Sequence, residues 1–481
     1  MNYKLALKVI GNVLRYETML LFIPFMVAVY YGENVIPFML TVLISGILAF
    51  FLTRIKSEKQ QMYAKEGFLT VGIVWIVISI IGALPFVIDG SIPSFVDAFF
   101  ETVSGFTTTG ATILTDVECL SKSIIFWRSF THWIGGMGVL IFMIALIPSL
   151  GSSTIHLLRA ESPGPNPGKI VPKIKETAKI LYIIYFVLTV VETILLMMAG
   201  LSLFDAVIHA LGTAGTGGFS NMNSSVAGFN SPAVEWIITI FMIIFGVNFA
   251  LYYQLLKGNI KNALRNEELK YYLLIIVSAI VLITINILKI YGYNFTEAIR
   301  ASSFQVASIV TSTGYATADF NLWPTVSKML IVFLMLVGAM AGSTGGGIKT
   351  IRIVIIMKAI KREINKILHP KRIQSVKIDG KVVGEETISG VFLFIAAYAV
   401  IALIAMFIIS FDGFDLITTS TSVITTLSNI GPGLELVGPT GNFAAFSDLS
   451  KTVLSFCMLA GRLEIYPMLI IFSRSVWKKT Y

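Results

Sequence analysis

The chain has 481 residues, of which 56% are apolar and only 13% charged, with a net charge of +9. So little charge could not cover the surface of a water-soluble protein of this length. Two cysteines, Cys119 and Cys457, and four histidines exclude a disulfide framework and give no metal-ligand spacing.

In chain order, a basic start (Lys4, Lys8, Arg15) leads into an apolar stretch, Tyr16–Tyr31, with no small-residue cleavage site after it, so no cleavable signal is expected. Runs free of Asp, Glu, Lys and Arg follow at Val35–Thr53, Gly67–Ile88, Trp133–Leu158, Trp236–Leu256, Tyr271–Leu288, Met329–Ile348 and Thr387–Phe411. Ile180–Phe204 is interrupted by Glu192, and Thr452–Ser473 by Arg462 and Glu464. Each run suits a helix crossing a hydrocarbon core of about 30 Å, and with a span near Ile124–Leu150 they predict about ten crossings of a lipid bilayer. Lys and Arg gather in 54–65, 159–179, 257–270 and 349–381, and are absent from 90–121, 201–235 and 411–450. This asymmetry predicts both termini on the cytoplasmic side, and it explains the basic balance without a nucleic-acid partner.

The segments on the other side repeat. An aromatic residue beside an acid opens each: Phe95 and Asp97, Phe204 and Asp205, Phe295 and Glu297, Phe414 and Asp415. A short helical stretch comes next, then a small polar cluster: Thr107–Gly110, Gly215–Gly218, Thr311–Gly314 and Ser428–Gly431. Another apolar span follows every cluster. One Gly/Thr loop is an ordinary connector, but four at equivalent places imply a pseudo-symmetric assembly. Irregular backbone at membrane depth is tolerated only where it is buried in protein or lines water. Glycine lets successive carbonyls point one way, and a ring of carbonyls can replace the hydration shell of a cation. The acids at the helix starts read as N-terminal caps.

These features resemble the Trk/Ktr/HKT superfamily of cation transporters, and most nearly its TrkH/TrkG branch of bacterial potassium-uptake subunits. The stretches that carry the resemblance are Ser104–Thr112, Trp127–Gly138, Arg159–Gly164, Gly215–Ser220, Thr313–Pro324, Ala341–Thr350, Asn429–Gly433 and Gly461–Glu464. The resemblance implies an all-α integral membrane fold: four M1–P–M2 pore-loop units in pseudo-fourfold arrangement, preceded by two extra N-terminal helices. The units would be 56–158, 159–258, 259–368 and 369–481, after a helix pair at 1–55. It implies potassium uptake across the cytoplasmic (inner) membrane, and no enzymatic activity. K⁺ would be bound by Thr108, Thr109 and Gly110; Gly215, Thr216 and Gly217; Ser312, Thr313 and Gly314; and Asn429, Ile430 and Gly431. Gly110, Gly217, Gly314 and Gly431 would be the filter glycines. Glycine at 110, where sodium-transporting plant members carry serine, favours potassium. The resemblance further implies a homodimer and a cytosolic, nucleotide-binding RCK-type (TrkA-like) subunit docking on the basic face around Lys358–Lys381.

Ala341–Thr350 has the glycine spacing of a phosphate-binding loop, but Ile348 stands where that loop requires lysine, and an apolar span precedes it where the motif has a strand. Gly342, Gly345, Gly346 and Gly347 should instead break a helix about 28 Å below Trp323. The resemblance assigns this segment, with Ser343, Thr344 and Lys349, to an intramembrane gate; a static kink is the competing reading. Arg462 falls about 20 Å along the last span. An arginine at that depth needs a partner or water. The resemblance makes it an electrostatic barrier below the filter; a structural ion pair, with Glu464 for instance, is the other reading. A membrane enzyme would need polar catalytic clusters within the spans, and none is seen. Na⁺- or H⁺-coupled symport on the same fold stays open beside channel-like flux.

Overall fold

The computed structural model describes residues 3–56, 64–138, 174–372 and 374–474. The expected span Trp133–Leu158 beyond Gly138, and the Arg159–Gly164 stretch, lie outside the described residues. The regular structure of the described residues is helical except for a hairpin of two two-residue strands, Lys377–Ile378 and Lys381–Val382.

Helices α1 (Tyr3–Tyr31) and α2 (Ile36–Thr53) form an antiparallel pair. Gly11 lets α1 approach the end of α2, where a Cβ would meet Leu52 and Thr53, and the Thr18 hydroxyl donates to Ser45 Oγ at 2.7 Å. The outward faces carry Met19, Phe22, Met26, Leu43, Ile47 and Phe51, all exposed. Such a continuous exposed apolar surface suits lipid, not water.

Four times thereafter a long apolar helix leads to a short one, a loop and a further helix. The long helices are α3 (Ala64–Asp89), α6 (Ile174–Met198), α11 (Glu267–Ile287) and α15 (Glu385–Ile409). The short ones are α4 (Phe95–Phe106), α7 (Leu203–Gly215), α12 (Phe295–Val310) and α16 (Leu416–Leu427). In the described residues six helices are long and apolar enough to cross a membrane: α1, α2, α3, α6, α11 and α15. The chain is a multi-pass membrane protein.

The runs after the loops differ from expectation. The sequence predicts one unbroken span in each except the third; among the described residues the second, third and fourth are interrupted, and the first helix ends at Gly136. α5 (Lys122–Gly136) stops before Gly138 at φ 77°. Trp236–Leu256 is two helices, α8 (Pro232–Phe245) and α9 (Phe249–Leu256), bent by 91°. α13 (Thr325–Val337) is separated from α14 (Thr350–Leu368), and α17 (Asp448–Arg462) from α18 (Tyr466–Ile471). A short helix, α10 (Ile260–Arg265), links α9 to α11. The breaks have a common cause. Each lies where the helix meets a loop of the ring described below, too close for a side chain: a Cβ on Gly136 would lie 2.7 Å from Gly215 Cα, and one on Gly246 2.9 Å from Thr311 Cγ2.

Candidate functional site

Side chains and acids fix the start of each short helix. Ser94, Ser202 and Asn294 accept from the backbone N–H of Asp97, Asp205 and Glu297 at 3.4, 3.1 and 3.4 Å, the spacing of a capping box. Asp415 is itself the cap, accepting from Thr418 N–H at 2.9 Å. The expected capping role of the acids is therefore refined: three occupy the third helical position behind a Ser or Asn cap. All four stand at the positive ends of their helices, so the negative ends face the loops.

The helices end alike. The N–H groups of Thr109, Gly217, Thr313 and Ile430 donate to the carbonyls five residues back, those of Ser104, Gly212, Ser308 and Thr425, at 2.8–2.9 Å. The residue before each is left-handed: Thr108, Thr216, Ser312 and Asn429 have φ of 57°, 54°, 58° and 55°. Such backbone is strained outside glycine and persists only where the surroundings hold it. The glycine after each, Gly110, Gly218, Gly314 and Gly431, has φ of 79°, 78°, 84° and 96°. This register shifts the second loop by one against expectation: the counterpart of Gly110 is Gly218, while Gly217 matches Thr109, Thr313 and Ile430. Two adjacent glycines hid the difference in the sequence.

The four loops close on one another. A Cβ on Gly110 would collide with the Gly217 carbonyl oxygen, one on Gly218 with that of Thr313, and one on Gly314 with that of Ile430. One on Gly431 would lie 2.7 Å from that of Thr109, completing the ring. Gly110, Gly218, Gly314 and Gly431 all line one cavity of about 110 Å³. The site is built of backbone oxygens and hydroxyls; among the described residues no three His, Cys, Asp or Glu side chains gather as a metal cluster.

Behind the first two loops stands a buried ion pair that the sequence reading passed over. Arg128 Nε donates to Glu101 Oε1 at 2.6 Å, and Arg128 Nη1 donates to the Ser220 carbonyl at 3.0 Å. Glu101 also accepts from the Thr112 hydroxyl and Ile113 N–H, both at 3.0 Å. A charged residue within an apolar run announces a partner, and that signal was present at Arg128. Arg128→Met should leave the Glu101 carboxylate stranded and cost about 3–5 kcal/mol of stability. A clear fall in the thermal unfolding midpoint of the purified protein is the expected readout.

Below the ring lies the broken helix, over Gly338–Lys349. Gly338, Gly342, Gly347 and Lys349 have φ of 69°, 75°, 78° and 79°, so the break starts four residues earlier than expected. Glu268 Oε1 accepts from Ala341 N–H at 2.7 Å and Ile351 N–H at 3.2 Å, tying both ends of the segment to one carboxylate. Between these anchors the chain reaches the ring. Gly346 N–H donates to Ser312 Oγ, and a Cβ on Gly345 would lie 2.8 Å from the Thr311 carbonyl. A Cβ on Gly346 would collide with the Ser428 carbonyl. Lys349 Nζ donates to the Gly345 carbonyl, Ser343 Oγ to that of Met340 at 2.6 Å, and Thr344 Oγ1 to that of Phe245 at 3.3 Å.

Arg462 ends α17 at the same level. Its Nη1 donates to Thr108 Oγ1 at 3.3 Å and to the Thr344 carbonyl at 2.8 Å, and its Nη2 donates to the Gly135 and Gly136 carbonyls. Glu464, considered as its partner from the sequence, pairs with Arg352 of α14. The structure thus brings the first loop, the broken helix and Arg462 into direct contact.

A family model described as "TrkH: Cation transport protein" matches residues 32–479. The Trk system potassium uptake protein TrkH of Salmonella typhimurium is 37% identical, over 88% of this chain and 88% of its own. TrkH of Vibrio parahaemolyticus is 34% identical over 99% of this chain and all of its own, and TrkG of Escherichia coli is 34% identical over 95% and 94%. The crystal structure of the potassium transporter TrkH from Vibrio parahaemolyticus superposes with a TM-score of 0.89 at 32% identity, covering 99% of this chain and 100% of that one. With its ring of four loops, its interrupted helices and likeness along nearly its whole length, the chain belongs to the TrkH family of cation transport proteins, in the TrkH/TrkG branch of the Trk/Ktr/HKT superfamily, a family of transporters and not of enzymes.

Proposed function

We propose that this protein carries potassium into the cell across the cytoplasmic membrane, through a filter formed by the four loops. The observation that carries the reading is the closed ring, in which each loop's left-handed glycine abuts a carbonyl of the next loop. A dehydrated cation needs such a ring of oxygens in place of water. The relatives' names, potassium uptake proteins, supply the ion. On this reading the filter residues are Thr108, Thr109 and Gly110; Thr216, Gly217 and Gly218; Ser312, Thr313 and Gly314; and Asn429, Ile430 and Gly431, a set supported by the equivalent backbone turns of the four loops. Each repeat then acts as one M1–P–M2 unit around the pore, with α1 and α2 outside it. Gly338–Lys349 is the gate and Arg462 the barrier beneath the filter. A homodimer, cytoplasmic termini and a TrkA-like cytosolic subunit complete the reading by family likeness.

Reconstitution into proteoliposomes under separate K⁺, Na⁺ and pH gradients tests it. The reversal potential should follow the K⁺ gradient alone. A current that needs a Na⁺ or proton gradient would replace channel-like flux by coupled symport. Within the filter, Gly110→Ser puts a Cβ against the Gly217 carbonyl, on backbone at φ 79°. The strain displaces carbonyls of both loops, and the K⁺/Na⁺ permeability ratio should fall on the order of tenfold. An unchanged ratio in folded G110S removes Gly110 from the filter.

A further inference from the structure

We propose that His132 is the positioning residue that holds the second loop of the ring in shape, and so sets the ion preference of the filter; the inference rests on the filter reading above. The starting point is an asymmetry among the loops. In the first and third, the hydroxyls of Thr107 and Thr109, and of Thr311 and Thr313, pair at 2.8 Å. Each pair spans the left-handed residue and braces its own loop. In the fourth, Tyr398 bonds Ser428 at 2.8 Å, and Asn429 Nδ2 donates to Thr109 Oγ1 at 3.0 Å and to the Met458 carbonyl at 2.8 Å. The second loop has Gly215 and Gly217 where the first has Thr107 and Thr109, and neither glycine has a side chain with which to brace it.

His132, on α5, fills the space those two side chains would take. A Cβ on Gly217 would collide with the imidazole ring, and one on Gly215 with the His132 carbonyl oxygen. The ring is fully buried and both its nitrogens are engaged. Nδ1–H donates to the Gly105 carbonyl at 2.8 Å, which leaves Nε2 bare to accept from Phe219 N–H at 3.3 Å. Because a carbonyl can only accept, this pair of partners fixes one neutral tautomer. The Phe219 ring packs against the imidazole at 4.1 Å and lies 3.6 Å from the Arg128 guanidinium. Phe219 directly follows Gly218, so the bond to Nε2 orients the peptide that joins them. The imidazole therefore bridges the end of the first short helix to the second loop. It takes over from outside what a threonine pair does within loops one and three.

The two ring nitrogens can be tested separately. Asparagine places an amide near Nδ1 and cannot reach Phe219; glutamine reaches the position of Nε2. H132N should lower the K⁺/Na⁺ permeability ratio of the reconstituted protein on the order of tenfold, because the buried Phe219 N–H loses its acceptor. H132Q should keep the ratio within about twofold of wild type, since it restores that acceptor. H132F, which keeps the aromatic contact without either bond, should behave as H132N and serves if the amides insert poorly. Ratios are read per folded molecule with G110S measured in parallel. An unchanged ratio in H132N beside a lowered one in G110S overturns the role of His132 while leaving the filter reading intact. Equal falls in H132N and H132Q would reduce His132 to packing and overturn it too. No change in any variant, G110S included, overturns the filter reading and this inference with it.

Discussion

Deleting Gly345–Gly347 is expected to raise cation flux per folded molecule by about tenfold or more, equivalent to lowering the barrier by roughly 1.4 kcal/mol or more. The segment is anchored at its base, where Glu268 accepts from both Ala341 and Ile351. Its middle reaches the underside of the ring, with Gly346 bonded to Ser312 and packed against the Ser428 carbonyl. Gly346 stands midway between the two anchors in the chain, so the segment reaches the ring only by spanning out from both of them. Three residues span at most about 10 Å, so their loss withdraws the tip from the ring while the Glu268 anchors stay. The deletion removes none of the proposed filter residues and takes from them only the Gly346 bond to Ser312, so the K⁺/Na⁺ ratio should hold. Flux assays on correctly inserted protein decide the matter: equal or lower flux would make the segment a static element that supports the pore. Glycine at 345 and 346 speaks for close approach, since any Cβ there meets ring backbone or Asn429. The positive φ values lie instead at 338, 342, 347 and 349.

Much of the architecture was legible because lipid imposes simple rules. Long uncharged runs, alternating basic segments and four Gly/Thr clusters followed from hydrocarbon thickness and the need to satisfy backbone polar groups. What stayed hidden depended on contacts between residues far apart in the chain. The ends of α5, α8 and α17 carry weak local signals, Gly135–Gly138, Gly246 and Gly461, and lie where those helices pack against a short helix or loop of the ring. The third break alone had enough glycines to show in the sequence. The register of the second loop turned on choosing between Gly217 and Gly218, and only the left-handed Thr216 and the ring closure separate them. Arg128 with Glu101, and His132 with Phe219, stand 27 and 87 residues apart in the chain, and no periodicity links residues across such distances.

Arg462→Ala is expected to raise flux on the order of ten- to a hundredfold, with little change in the K⁺/Na⁺ ratio. The guanidinium stays charged at any physiological pH. It touches Thr108 of the first loop and Thr344 of the broken helix, which on the proposed filter reading is where an ion leaving the ring would pass. Two unit charges about 4 Å apart repel by roughly 4 kcal/mol at an effective dielectric of 20, which sets a ceiling near three orders of magnitude in rate. Water around the ion lowers the effect below that ceiling. Arg462 also acts as a tether, because its bonds to Thr344, Gly135 and Gly136 hold three segments together. Two further substitutions separate charge from tether. Lysine keeps the charge without the planar fork, and R462K should stay close to wild-type flux. Glutamine keeps N–H donors without the charge, and R462Q should conduct nearly as well as R462A. If R462Q instead stays near wild type while R462K opens, the tether is the whole effect and the electrostatic barrier is lost as an explanation. Poor yield of R462A with normal flux per molecule would point the same way, to an arginine retained for folding alone.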